Sequence, residues 1–316
     1  MIINEEDYEL TPLQEEASTR KYFLASHPDK ESIVVCRDIS INQDFIELAR
    51  YLSDSNFLVP KIYGTNNVQN TIYQSFLGPD DMSTLPIFEY SNKLKDIIDV
   101  ILKLQELDPP GIVRARKFDY DKLHSEILIT IDAFSRWKTK FNLNTTISEE
   151  LKIFFEECCA FLAKYPRLVF THRDFHCRNL IITRENGIGL IDFQDARMGT
   201  PQYDLVSLLY DAYRPLDLDI RREYLEYYRE RTKFKDYKFY ETYYLQGLQR
   251  SFKALGTYLI QVGDRNNAKF IPSLFSCLKN LEELCQIGLL PDSVFIFLHE
   301  LQTELELIEL NMDKAT

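Results

Sequence analysis

Between Leu168 and Asp195, three short apolar runs interrupt a half of the chain that is otherwise patterned as helix: Leu168-Val169-Phe170, Leu180-Ile181-Ile182 and Ile188-Gly189-Leu190-Ile191. Each is too short for a stable helix and is bounded by polar residues, so the pattern predicts three strands separated by polar loops. The flanking sequence has a different period. From Tyr90 to Leu107 the residues Leu94, Ile97, Ile98, Ile101, Leu102 and Leu104 recur at helical spacing, and Asp108-Pro109-Pro110-Gly111 stops the run. Asp121 to Phe141 and Ser148 to Lys164 read as further amphipathic helices, the second opening on Ser148 and two acids that suit a helix start. Helices return at about 204–213, 217–230, 237–262, 270–286 and 292–310.

Residues 20 to 80 are organised differently. The β-type runs Tyr22-Phe23-Leu24, Ile33-Val34-Val35-Cys36 and Thr71-Ile72-Tyr73 enclose a helical segment from Asp44 to Leu52, which predicts a small sheet carrying one helix. The linker Gln74 to Asp81 is the natural boundary, dividing the chain into residues 1–78 and 79–316.

Bulk properties narrow the function. A chain of 316 residues, 45% hydrophobic and 27% charged, suits a soluble globular enzyme with one large or two modest cores. Its 49 acidic against 37 basic residues, a formal net charge of -12, disfavour a nucleic-acid partner. Met1 to Asp7 is acidic with no long apolar stretch behind it, and no later run approaches the ~20 apolar residues of a membrane span, so a cytoplasmic protein with no membrane partner is expected. The six cysteines, including Cys158 and Cys159, lack metal-ligand spacing and read as free buried thiols in a reducing compartment. A monomer is favoured.

The loop Thr171-His172-Arg173-Asp174-Phe175-His176-Cys177-Arg178-Asn179 places an acid and an amide between two apolar strands, and Ile191-Asp192-Phe193-Gln194-Asp195 brings a second acid one short hairpin later. Phosphoryl transfer from ATP needs this inventory, because its loose transition state leaves a protein little to do beyond aligning nucleophile, phosphate and metal. The spacing His-x-Asp-x-x-x-x-Asn followed by an apolar-Asp-Phe matches the catalytic and metal-binding loops of kinases. Asp174 is then the base facing the acceptor hydroxyl, and Asn179 and Asp192 are the Mg²⁺ ligands. His172 joins the catalytic set as the residue that shapes the loop rather than one that titrates. A zinc site built from His172, His176 and Cys177 is the rival reading; it would need both histidines on one helical face, which the flanking β runs oppose.

These stretches, with Tyr203-Asp204-Leu205-Val206-Ser207-Leu208-Leu209, resemble the aminoglycoside phosphotransferase and choline kinase superfamily. Within it, the bacterial anomeric kinases of N-acetylmuramate and N-acetylglucosamine are the most similar group. Ala17-Ser18-Thr19-Arg20-Lys21-Tyr22-Phe23, Phe118-Asp119 through Glu126 to Trp137, and Leu248-Gln249-Arg250 through Leu255-Gly256 carry the likeness over most of the chain. The resemblance implies an α+β, bilobal protein-kinase-like fold, with an antiparallel-sheet lobe clamping ATP and Mg²⁺ against a mostly helical lobe that holds a small-molecule sugar. It implies a sugar pocket drawn from Glu126, His176, Arg178, Asp195, Tyr203 and Asp211, with Arg178 available to a lactate carboxylate. Asp204 is expected to cap the helix that follows it.

Two features depart from the kinase pattern. No glycine precedes Gly64, so any cover over the phosphates must come from Ser18, Thr19 and Arg20. The strand lysine that pairs with the phosphates is also missing; Arg37 stands at the end of the corresponding strand, Glu47 on the next helix is its expected partner, and Gln74 completes the nucleotide side. Other acceptors on the same fold, an aminoglycoside or choline, and a nucleotide-binding pseudokinase are the alternatives. Retention of Asp174, Asn179 and Asp192 opposes the last of these.

Overall fold

The computed structural model describes residues 5–13, 20–236, 238–286 and 291–313. The three expected strands and the one expected helix of the first eighty residues form, and two short strands join their sheet. β1 (Glu9–Pro12), β2 (Lys21–His27), β3 (Lys30–Arg37), β4 (Ile62–Asn66) and β5 (Thr71–Ser75) make an antiparallel sheet in the order β1-β2-β3-β5-β4. α1 (Gln43–Asp54) crosses between β3 and β4 and opens on Asn42, whose side chain accepts the Phe45 N–H at 2.9 Å. The two faces of the sheet differ because side chains alternate along a strand. Ala25, Ile33, Val35 and Tyr73 pack together on one face, while Cys36 and Ile72 meet Ile46 of α1 on the other.

β6 (Asp80–Asp81) lies at the end of the expected linker and leaves this sheet to pair with residues Ile181 and Ile182 of the second half of the chain. Gly78 makes that crossing: a Cβ there would lie 2.2 Å from the Ile182 carbonyl oxygen, so a larger residue would displace the linker. The helical body then begins with α2 (Ile87–Gln105), α3 (Gly111–Arg114), α4 (Tyr120–Phe141) and α5 (Glu149–Ala163). Asp119 caps α4 by accepting the Lys122 N–H at 2.9 Å, and Ser148 caps α5 by accepting that of Leu151 at 3.1 Å.

The three central strands are β7 (Val169–Thr171), β8 (Leu180–Ile182) and β9 (Ile188–Leu190), but they do not form one sheet. β8 and β9 are a hairpin extended by β6, whereas β7 pairs with β10 (Arg197–Gly199), a strand too short and too polar to read from the sequence. α6 (Tyr203–Leu209), α7 (Leu218–Arg231), α8 (Phe239–Leu259), α9 (Ile271–Cys285) and α10 (Asp292–Asp313) complete the body. α8 runs against α4 at close range. A Cβ on Gly256 would meet the Thr130 Cα at 2.8 Å, the Thr130 hydroxyl donates to the Phe252 carbonyl at 2.9 Å, and the Trp137 indole donates to that of Leu259 at 2.7 Å. All six cysteines are buried and unpaired. Among the described residues, no helix is long and apolar enough to cross a membrane.

Candidate active site

Register brings the predicted residues together. Leu180 pairs with Leu190 across the β8–β9 hairpin, so Asn179 at one end stands opposite Ile191 at the other, and the Ile191 N–H donates to the Asn179 carbonyl at 3.1 Å. Asp192 follows at once in the left-handed region, φ 64°, which turns its carboxylate out of the hairpin. The Asn179 amide donates to the Asp174 carbonyl at 2.8 Å, closing the loop back on itself. His172 is wholly buried beneath it. Its Nε2 donates to the Ile191 carbonyl at 2.9 Å, and burial holds its pKa down to about 4, so the ring is a neutral strut between the two loops.

A second device fixes the loop. Arg173 has φ 82°, a strained value for a residue with a side chain. The carboxylate of Asp204 on α6 holds it there, accepting the His172 N–H at 2.7 Å and the Arg173 N–H at 3.1 Å. Asp204 is therefore not the cap of α6, whose first turn begins after Gln202; it reaches away from its own helix. Burial raises its pKa to about 7, against the two N–H donors that favour the ionised form. Asp204→Asn would leave one of the two backbone donors facing an NH₂ group. It is expected to cost about 1–3 kcal/mol in thermal or denaturant unfolding and to lower turnover, because the loop loses its clamp.

Around Asp174 the charges alternate. Its Oδ2 lies 3.7 Å from Arg173 Nη1 and its Oδ1 lies 3.6 Å from Lys253 Nζ on α8. Arg173 reaches Asp195 Oδ2 at 3.0 Å and Glu126 Oε1 on α4 at 3.7 Å. Burial would raise the Asp174 carboxyl, but Lys253 and Arg173, with His176 and Arg250 behind them, overcome it and hold the group well below the usual carboxylate range. Glu126 is only 3% exposed, and neither of its oxygens has a hydrogen-bond partner among the described residues, although Lys122 Nζ stands 3.0 Å from Oε1 as an ion pair.

Several sequence expectations need correction. Arg37 does not pair with Glu47. It shares the face of Val35, lies 5.1 Å from the Phe23 ring and forms its ion pair with Glu5, while α1 packs on the opposite, Cys36 face and leaves Glu47 exposed. Period-2 alternation separates the two sides. Arg20, two residues before Tyr22, lines the α1 face with Tyr22, Cys36 and Asp38. It reaches Asp38 Oδ2 at 3.2 Å and Asp192 Oδ1 at 3.7 Å. Asp211 is buried, and its oxygens are taken by backbone: they accept the Cys177 and Tyr213 N–H groups, each at 2.8 Å. Tyr203 is fully buried and stacks on Phe118 at 4.3 Å, and its hydroxyl, near Glu126, Arg173 and Asp174, has no hydrogen-bond partner among the described residues. Ser18 and Thr19 lie outside the described residues.

His176 packs edge-on against Tyr213 at 5.1 Å, and Arg178 covers the Tyr213 ring at 3.9 Å. Gln74 is buried on β5, and its Oε1 has no hydrogen-bond partner among the described residues. Asp192 Oδ1 also accepts from Gln194 Nε2 at 2.6 Å. Asp192 and Asn179 suit magnesium, a hard cation that takes one or two protein oxygens and completes its shell with phosphates and water.

The profile of the phosphotransferase enzyme family matches residues 9–241, which includes the sheet, the catalytic loop and the hairpin. The chain belongs to the phosphotransferase enzyme family. It is a kinase-type enzyme, and the bilobal α+β fold expected from its sequence is the fold it has. Among curated proteins it is 27% identical over 274 residues to an N-acetylmuramate/N-acetylglucosamine kinase of Neisseria meningitidis serogroup B, covering 80% of this chain and 79% of that one. A kinase of the same name from Pseudomonas aeruginosa is 28% identical over 213 residues, covering 65% of this chain and 60% of that one. Among solved structures, a choline/ethanolamine kinase family protein from Mesorhizobium loti has a TM-score of 0.59 at 14% identity, covering 93% of this chain and 92% of that one, a likeness of fold.

Lys253 carries no role in the sequence pattern, and Arg173 appears there only as part of the loop motif. Lys253 had a signal: with Arg250 it places two cations at helical spacing on a helix whose neighbouring positions, Phe252, Leu255 and Gly256, are buried. Charges in such a stripe are rare unless paired or functional.

Proposed function

We propose that this phosphotransferase moves the γ-phosphoryl group of ATP, with magnesium, to the anomeric hydroxyl of a cell-wall amino sugar, N-acetylmuramate or N-acetylglucosamine. The observation that carries the acceptor class is the buried Glu126 carboxylate, without a hydrogen-bond partner among the described residues though ion-paired with Lys122, in a cluster where Arg173 lies 3.7 Å from Glu126 and Asp174 and 3.0 Å from Asp195, and Lys253 lies 3.6 Å from Asp174. Hydroxyl groups both donate and accept, so a sugar can bridge acids and cations alternately. A quaternary ammonium would want a bare aromatic face, and the Tyr213 face is already covered by Arg178. The names of the two kinases aligned above support the same acceptor.

The roles follow. The acceptor oxygen attacks the γ-phosphorus, its proton passes to the Asp174 carboxylate, and the bond from the γ-phosphorus to the ADP oxygen breaks. Asn179 and Asp192 would hold magnesium, which when bound neutralises charge on the phosphates. Arg20, with Ser18 and Thr19 before it, serves the nucleotide in place of the missing strand lysine, and residues 1–78 act as the clamp over residues 79–316. Glu126, Asp195 and Arg173 bind sugar hydroxyls, His176 and Arg178 line the far wall, and His172 positions the loop.

A coupled ADP-release assay over N-acetylmuramate, N-acetylglucosamine, aminoglycosides and choline tests the reading. Turnover is expected with the amino sugars, together with loss of the reducing end in the product. Silence on every anomeric sugar would overturn it.

A further inference from the structure

Lys253 stands on α8 three residues before Gly256, whose missing Cβ lets α8 lie against Thr130 of α4. Its side chain is 20% exposed, and the charged groups that face it are Asp174, Glu126, Arg173 and Arg250. Burial lowers its pKa against the attraction of Asp174 and Glu126. Enclosing an ammonium in this way costs solvation that a methionine of similar shape would not. The hold of α8 on α4 is supplied elsewhere, by the Thr130 and Trp137 hydrogen bonds to its carbonyls.

The spacing is the telling feature. At 3.6 Å, Lys253 Nζ and Asp174 Oδ1 are too far apart for a good hydrogen bond, yet one oxygen atom set beside the pair can lie about 2.8 Å from both at once. A hydroxyl oxygen has one hydrogen and two lone pairs. With the hydrogen directed to Asp174 and one lone pair to Lys253, the remaining lone pair has a fixed direction.

We infer that Lys253 is a catalytic residue that grips the acceptor oxygen and aims it at the phosphorus. This rests on the reading of Asp174 as the proton acceptor. Lys253 keeps its proton throughout: the hydroxyl proton goes to the Asp174 carboxylate, the new oxygen–phosphorus bond forms, and the bond to ADP breaks. In a loose transition state a donor on the nucleophile costs little reactivity, while orientation counts heavily.

The test compares Lys253→Met, Lys253→Arg and Lys253→Ala with the full-length enzyme, using its best acceptor from the panel above. Basal ATP hydrolysis, with water in the acceptor's place, is read alongside. Lys253→Met is expected to lower kcat by about 10²-fold with unchanged MgADP affinity and an undiminished melting temperature. Lys253→Arg should recover part of the loss, and added ethylammonium should restore part of the activity of Lys253→Ala. A kcat within threefold of wild type for Lys253→Met would overturn the inference. So would a loss that neither arginine nor the amine relieves, since that is the mark of a packing role. If the wild type ignores amino sugars but Lys253→Met still loses turnover with another acceptor or with water, the acceptor class fails and the role of Lys253 stands.

Discussion

Replacing Asp174 with asparagine is expected to lower kcat by about 10²–10⁴-fold while leaving the chain folded and its MgATP affinity within a few-fold of wild type. Asparagine keeps the shape of the side chain and one of its oxygens, but it cannot take a proton from the acceptor. Nucleotide contacts are spared because the Asn179 amide binds the Asp174 backbone carbonyl, not its side chain. Alanine is a harsher change. It strips Arg173 and Lys253 of their shared counter-charge, so Asp174→Ala should melt at a lower temperature than Asp174→Asn. Single-turnover kinetics with a nucleotide-binding titration separate the effects. An asparagine variant that turns over within threefold of wild type would remove Asp174 from the chemistry.

Asp192→Asn should be comparably damaging for a different reason. The residue sits at φ 64°, where asparagine is tolerated and alanine is strained, so the amide is the cleaner probe. Losing one carboxylate charge at a divalent cation removes several kcal/mol of stabilisation, on the order of 10³-fold in kcat/KM. The signature is in the metal titration: wild-type ATP affinity should tighten on adding Mg²⁺, whereas the variant should bind ATP about equally with the metal and with EDTA. An unchanged magnesium dependence would move the metal to other ligands.

What the sequence made legible follows from periodicity. The long helices announce themselves because Leu94, Ile97, Ile98, Ile101 and Leu104 must share one buried face, and they do. The catalytic loop was legible because its chemistry is compressed into adjacent residues between two strands. Sidedness was harder. Arg37 looked like the missing cation because it ends the right strand, but one residue along a strand reverses the face, and Cys36 holds the cleft side. Asp211 and Asp204 looked like ligand or cap residues because an acid beside a loop usually is one. Each instead satisfies backbone N–H groups of another segment, a long-range contact that no local pattern encodes. Lys253 entered the site from far along the chain, and only the packing of α8 on α4 puts it beside Asp174.

α1 belongs to the small sheet by chain order but to the helical body by packing. Its Leu48, Ala49 and Leu52 lie in the same core as α2 and α6, Phe45 stacks on Phe193 at 5.1 Å, and Asp44 is ion-paired with Arg116. α1 is thus packed against both the sheet and the helical body, and ties the one to the other. In the clamp proposed for residues 1–78, any opening would have to bend the sheet about this shared helix, and β1 and β2, at the far edge in the order β1-β2-β3-β5-β4, are the strands it restrains least.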